Sequence, residues 1–337
     1  MNRLFRVPLG MLVALNGSAA LADHLGATGF GPGGGITVFS PETLDGGHWA
    51  AGLRLAYTRP KQRPDDQLAA LADQGIGSHN TDYNLNVSLG AAYGLSHHLT
   101  ISAELPYVRR ARLREGSIDG VDRLGSPAGL GDMNLLAKYR ITEAGEVGFA
   151  LIGGIKLPTG STHRGAPDGE KLETEHQPGT GSWDPIVGAS ASVRVGPVQL
   201  TGSGLFQIST QGAQDTRLGN RLQGGIALSH RFGGAEPEHQ EDADGHDHHH
   251  DDPPEARHSS WDGFVELAGE REGRQRIGGD VEKASGGTWA WLAPGVRFNS
   301  ASGWSAAAGF AVPVWQRIRA SHPDNRYRLM LSLGRAF

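Results

Sequence analysis

Between Glu236 and Asp252 the chain concentrates side chains that can bind a metal. They include Glu236, Glu238, Glu241, Asp242 and Asp244, then the dense run His246, Asp247, His248, His249, His250 and Asp251. Imidazole nitrogen and carboxylate oxygen together suit Zn, Cu and Ni. The spacing is not that of a closed structural site, so a divalent transition metal would be held loosely here. The same composition also describes a solvated acidic linker, disordered because it has too little apolar surface to bury.

A second set of charges is spread along the chain. Asp132, Lys138, Arg140, Lys156 and Asp184 fall on the polar faces of three consecutive predicted strands, together with Asn134. Arg54, Asn84, Asn86, Glu104 and Arg194 occupy matching positions on neighbouring strands. Such residues read either as an ion-pair ladder that fills a lumen or as a charged constriction that selects solutes.

Other chemistry is poorly supported. The chain has no Cys, which removes thiol catalysis and thiolate metal sites. Its Ser and His residues form no His-x-Ser-x-Gly segment of the kind an outer-membrane phospholipase carries at a strand end, so no catalytic residue is assigned and no enzyme is expected. Gly31-Pro-Gly-Gly-Gly35 suggests a phosphate loop, but no strand precedes it and no helix follows. A sequence pI of about 6.3 argues against a nucleic-acid partner.

The elements that must position these residues are strands. Apolar and polar residues alternate in twelve segments: 48–59, 82–95, 99–108, 130–141, 147–157, 184–194, 198–208, 221–232, 261–267, 288–299, 304–313 and 329–337. Segments of about ten residues match a tilted membrane strand. The facing of 288–299 and 304–313 is not fixed by the pattern. Four connections, at 96–98, 142–146, 196–197 and 300–303, are short, while those on the other side are mostly longer and polar. Short periplasmic turns and long outer loops are the asymmetry of a barrel. Every Trp and Tyr lies within a few residues of a strand end, which predicts aromatic belts at headgroup level. The fold class is therefore all-β, a transmembrane antiparallel β-barrel of about twelve strands. A mean hydropathy of −0.36 is compatible with this, because lumen-facing residues dilute the lipid-facing ones.

The organisation follows. Residues 1–22 form a signal peptide, with Arg3 and Arg6, an apolar core and an Ala20-Leu21-Ala22 cleavage site. Residues 23–47 are a Gly-rich lead-in that can fold into the lumen as a plug. Residues 48–337 are the barrel, interrupted at 233–260 by the His/acid-rich insertion. Asp65 to Gln74 has a short helical pattern that would cap the first outer loop. Strand counting puts the insertion on the periplasmic side, where turns should be short, unless the count is off by one.

Three motifs carry a family resemblance: Gly129-Leu-Gly-Asp-Met-Asn-Leu-Leu-Ala-Lys-Tyr-Arg140, Lys156-Leu-Pro-Thr-Gly160 and Gln177-Pro-Gly-Thr-Gly-Ser-Trp-Asp-Pro185. They resemble the outer-membrane transporter family named after the meta-pathway of phenol degradation. The terminal Phe337, with its apolar strand, resembles the signal read by the barrel-assembly machinery, and Arg335 departs from that pattern. The resemblance implies a barrel in the outer membrane of a Gram-negative-type bacterium, with lipid around it and small-molecule passage through it. Three functions follow as expectations: a channel or transporter for small solutes, a metal-handling barrel that uses the insertion, or a structural barrel without an open pore.

Overall fold

The computed structural model describes residues 35–233 and 259–337. The predicted signal peptide and the His246 to Asp251 run lie outside the described residues, as do Gly31, Pro32, Gly33 and Gly34.

Twelve long strands close on themselves. They are β1 (Trp49–Pro60), β2 (Tyr83–Ser96), β3 (Leu99–Ala111), β4 (Met133–Arg140), β5 (Val147–Leu157), β6 (Asp184–Val195), β7 (Val198–Gln207), β8 (Arg221–Phe232), β9 (Ser260–Glu272), β10 (Gly287–Asn299), β11 (Trp304–Ile318) and β12 (Asn325–Ala336). Each pairs antiparallel with its chain neighbours, and β1 pairs with β12 in register from Ala50↔Ala336 to Arg59↔Tyr327. Closure leaves no strand edge unpaired, which a membrane interior demands. A short strand, Ala128–Leu130, continues the pairing with β3 before β4 begins. Among the described residues no helix is long and apolar enough to cross a membrane.

The alternation read from sequence sets the two faces. Leu89, Leu151, Leu228, Val265 and Leu331 are exposed on the outside, whereas Ser88, Ala150, Ser229, Glu266 and Ser332 are buried. Two aromatic girdles follow. Trp49 meets Tyr93 at 4.5 Å between ring centroids near the chain termini, and Tyr57 meets Tyr83 at 5.1 Å at the opposite end. Arg335, on the outer face, lies over the rings of Trp304 (5.3 Å) and Phe337 (4.7 Å), where a cation is attracted to the negative ring faces.

Two of the seven Trp depart from the belt expectation. On β10, Trp291 and the partly buried Trp289 pack in the barrel's interior cluster, with Leu292 and Val296 exposed outside. A bulge explains how β11 follows: Ala290 pairs with Trp315 and Trp291 with Pro313, so Val314 is the extra residue. Val314 and Trp315 are both exposed. Lumen space, not headgroup affinity, decides the place of Trp291.

The outer loops join strand pairs at the end away from the termini. Helix α1 (Asp65–Ala72) lies in the first loop and buries Leu68, as its pattern predicts. The insertion connects β8 to β9 at the end that carries the short turns and both ends of the barrel. The count of twelve stands, and Phe232 and Ser260, the strand ends that flank the insertion, lie at the end of the barrel with the short turns.

Candidate functional site

Lys156 on β5 stands directly across from Asp184 on β6 and Asn134 on β4. Its Nζ is 2.7 Å from Asp184 Oδ2 and 3.3 Å from Asp132 Oδ2, with all three residues buried. It also donates to Ser182 Oγ at 3.2 Å and to Thr180 Oγ1. Asp132 accepts from the backbone N–H of Gly160 (3.0 Å) and of Thr180 (2.8 Å), and Asp184 accepts from Gln207 (2.9 Å). Buried charges of this kind persist only where pairing and hydrogen bonds replace water. The knot joins all three motif segments. The backbones meet at Gly160 and Gly179, where a Cβ on Gly160 would lie 2.6 Å from Gly179 Cα.

The lumen beside this knot is threaded by the chain's own N-terminal segment. Ile36, Val38, Ser40, Thr43 and Leu44 are all buried. Ile36 packs in a cluster with Phe264, Trp291, Ala293, Ala307, Ala311 and Met330, and Leu44 in another with Ala50, Ala92 and Ala336. Polar contacts hold the segment between these anchors. Arg297 donates to the Gly35 carbonyl at 3.0 Å and Lys138 to the Ser40 carbonyl at 2.7 Å. Thr37 N–H donates to Glu266 at 3.1 Å, Phe39 N–H to Ser203 at 2.9 Å, and Leu44 N–H to Thr100 at 2.8 Å. Gly94 on β2 leaves the space it needs, since a Cβ there would come 2.1 Å from the Asp45 carbonyl oxygen.

The other predicted lumen residues spread over the barrel's height. Arg54 faces Ser88 and Ser332 across its two neighbours. Glu104 pairs with Asn134 across β3 and β4, and with Phe39 they border a small void between plug and wall. Asn84 accepts from Thr81 at 3.2 Å, and Asn86 from Ser88 at 3.0 Å. Arg140 donates to the Glu143 carbonyl at 3.1 Å in the turn after β4, and Arg194 donates to Gln199 at 3.1 Å.

A second polar network was not singled out in the sequence. Glu270 on β9 accepts from Arg328 on β12 at 2.9 Å and faces Arg221 at 3.7 Å. Arg328 also lies over the Trp291 ring at 4.5 Å. Asp262 binds Arg231 at 3.1 Å and accepts from Asn299 at 2.8 Å. The signal for these pairs was present, because each charge sits on the polar face of its strand. A larger cavity of about 1080 Å³ opens between the outer parts of β9, β10 and β11, lined by Arg271, Arg274, Arg276, Arg317, Arg319 and Trp315 among others.

The loops at the outer end bring together histidines that lie far apart in sequence. His79 follows α1 in the first loop, Glu115 belongs to the loop after β3, Glu173, Glu175 and His176 to the loop after β5, and His322 to the last loop. His79 and His322 share a hydrogen bond, Nε2 to Nδ1, at 2.7 Å. His79 Nδ1 is 3.6 Å from Glu175 Oε1, and His176 Nε2 is 3.9 Å from the same oxygen. His176 Nε2 is buried without a hydrogen-bond partner among the described residues. Arg63 ties first loop to last, donating to the carbonyls of Ala320 (2.5 Å) and His322 (2.7 Å). Burial holds the His79 imidazole well below its usual range, and the neighbouring His322 and His176 lower it further. Burial, with Glu115 and Glu175 beside it, pushes the Glu173 carboxyl up.

A closed twelve-strand antiparallel sheet with an apolar exterior, a charged lumen and girdles at both rims defines a transmembrane β-barrel of the outer-membrane type. The chain belongs to the family described as "Putative MetA-pathway of phenol degradation", whose model matches residues 72–261. It is similar to the COG4313 outer membrane channel from Pseudomonas putida F1, with 17% identity and a TM-score of 0.56 over 88% of this chain and 98% of that one. The β domain of the Bordetella autotransporter BrkA (10% identity, TM-score 0.46) aligns over 87% of this chain and 100% of its own. LpxR from Salmonella typhimurium (10% identity, TM-score 0.40) aligns over 85% and 99%. A search of curated proteins gave no match.

Proposed function

We propose that this barrel is an outer-membrane channel or transporter for small solutes, not an enzyme, with its path regulated by the N-terminal segment. The observation that carries this reading is the way residues 35–44 are held. A segment meant only to fill space would be packed by apolar contacts. This one is anchored at two apolar clusters and spans a polar lumen between them on individual hydrogen bonds. Each such bond contributes only about 0.5–3 kcal/mol net, so part of the segment can leave the wall without unfolding the strands. The lumen charges of Lys156, Asp132, Asp184 and Glu104 then line the path past which a solute moves. The family membership and the likeness to a channel of the same architecture support the reading.

The test is conductance in planar bilayers. The intact barrel is compared with a variant in which Lys138→Met and Phe39→Gly loosen the segment. Larger or more frequent openings in the variant support a regulated path. Equal, negligible conductance from both proteins, each verified as folded, would favour a structural barrel without an open pore.

A further inference from the structure

We propose that His79, Glu175 and His176 bind a divalent transition metal ion, with His322 orienting His79. The site lies at the opposite end of the barrel from Phe232 and Ser260, the strand ends that flank the His-rich insertion, and does not depend on whether the barrel conducts.

One buried nitrogen of this cluster is left without a hydrogen-bond partner among the described residues. It is Nε2 of His176, which is 1% exposed. Leaving a buried polar atom unpaired costs about 1–3 kcal/mol. That nitrogen lies within 4.8 Å of the ligand atoms of both His79 and Glu175. The carboxylate stands 3.6 Å from His79 Nδ1 and 3.9 Å from His176 Nε2, too far for a good hydrogen bond. Ligands around a tetrahedral ion, with metal–ligand distances of about 2.0–2.1 Å, lie about 3.3 Å apart. The two carboxylate separations of 3.6 and 3.9 Å are close to that, and all three ligand atoms lie within 4.8 Å of one another, so side-chain shifts of about an ångström would close the set on an ion.

The outer contacts fit the same reading. A metal-bound imidazole takes its ligand nitrogen from the lone pair and gives its other N–H to a neighbour, which fixes ring and tautomer. His79 Nε2 is 2.7 Å from His322 Nδ1. With His79 donating there, its Nδ1 turns a lone pair toward Glu175, and an ion between the two resolves the opposition of two acceptors. Charge is also in place. Glu115 Oε2 is 3.8 Å from His176 Nε2, and Glu115, Glu173 and His176 form an overlapping ligand set. These acids offset the positive charge of Arg63 and Arg110 nearby. Two imidazoles with carboxylate oxygen and no thiolate suit Zn, Ni or Cu(II) over Ca or Mg. Because the ligands and their support come from three different loops, an ion here would also fasten the loops over the mouth.

The test uses the full-length barrel with His239→Ala, His246→Ala, His248→Ala, His249→Ala, His250→Ala and His258→Ala, so that no imidazole of the insertion contributes. Calorimetry with Zn²⁺ should give one ion per barrel with a Kd below about 10 µM. Adding His176→Ala or His79→Ala should weaken binding by more than about tenfold, and His322→Ala by about 10–100-fold, the range expected for an orienting group. His163→Ala, an exposed loop position, should leave it unchanged. Co²⁺ should give the intense visible bands of a four- or five-coordinate ion. Where an alanine variant does not fold, the Cu²⁺ electron paramagnetic resonance spectrum of the otherwise unaltered background, which should show coupling to two imidazole nitrogens, supplies the answer. No saturable binding, binding indifferent to His176→Ala, or a Cu²⁺ spectrum without imidazole nitrogen coupling would overturn the proposal.

Discussion

Lys138 Nζ lies 2.7 Å from the carbonyl oxygen of Ser40, joining the wall of the barrel at β4 to the segment that threads its lumen. Both residues are buried. The contact needs nothing from the Ser40 side chain, so the wall recognises the path of the backbone at this point. Lys138→Met keeps the length of the side chain and removes the donor. A hydrogen bond from a charged group contributes about 1.5–3 kcal/mol, so amide exchange in residues 36–44 should speed up by about tenfold or more. Mass spectrometry of the exchanged peptide checks this, and unchanged protection would mean that the apolar anchors alone hold the segment.

Ile36 and Leu44 are those anchors, and Gly94 tests the second. Gly94→Val places side-chain atoms where the Asp45 carbonyl now sits. Residues 43–46 must then move, and the bond from Leu44 N–H to Thr100 is lost. The expected result is protease cleavage within 35–47 while the strands stay protected, since the added side chain meets the threaded segment and the backbone bonds of Gly94 to Gly47 and His48 lie in the sheet.

The three-motif knot should behave as a buried ion cluster. Lys156→Met leaves Asp132 and Asp184 facing each other without a cation. Removing one partner of a buried pair costs about 3–5 kcal/mol. The triple variant Asp132→Asn, Lys156→Met, Asp184→Asn should recover part of that loss, because no charge is left stranded. Urea unfolding from micelles, followed by tryptophan fluorescence, measures both. Equal loss in the single and triple variants would show that packing rather than charge matters here.

Trp291→Ala removes the largest side chain of the interior cluster and the ring beneath Arg328. Truncating a buried Trp costs about 3–5 kcal/mol. It should also widen the lumen beside Ile36, so conductance should rise as stability falls. A rim tryptophan, Trp261→Ala, should lower stability less and leave conductance unaltered.

Much of the architecture is legible residue by residue. The parity that separates Leu89 from Ser88, or Val265 from Glu266, is a property of extended chain, and the cost of a charge against lipid forces one parity inward. Asp132, Lys156 and Asp184 could be placed on one polar face for that reason. Glu270 and Arg328 fell just outside the alternating segments 261–267 and 329–337, because the strands run on to Glu272 and begin at Asn325, and parity alone does not tell which inward charges meet. Trp291 was misread because proximity to a strand end looks the same whether the ring turns outward to headgroups or inward to a gap.

What the sequence alone determined about this protein is the barrel: about twelve strands, the facing of all but the segments 288–299 and 304–313, and the side on which loops are long. These are local matters, fixed by alternation and by the few ways a backbone can be satisfied inside a membrane. The tertiary structure alone decided what fills and covers the barrel. His79, His176 and His322 are three unremarked histidines in three polar loops until strand closure brings β1, β5 and β12 around one mouth. Ile36 and Leu44 are apolar residues in an irregular stretch until a lumen exists to receive them. Contacts between segments distant in the chain have no periodicity to read, because their spacing is set by the ring of strands between them.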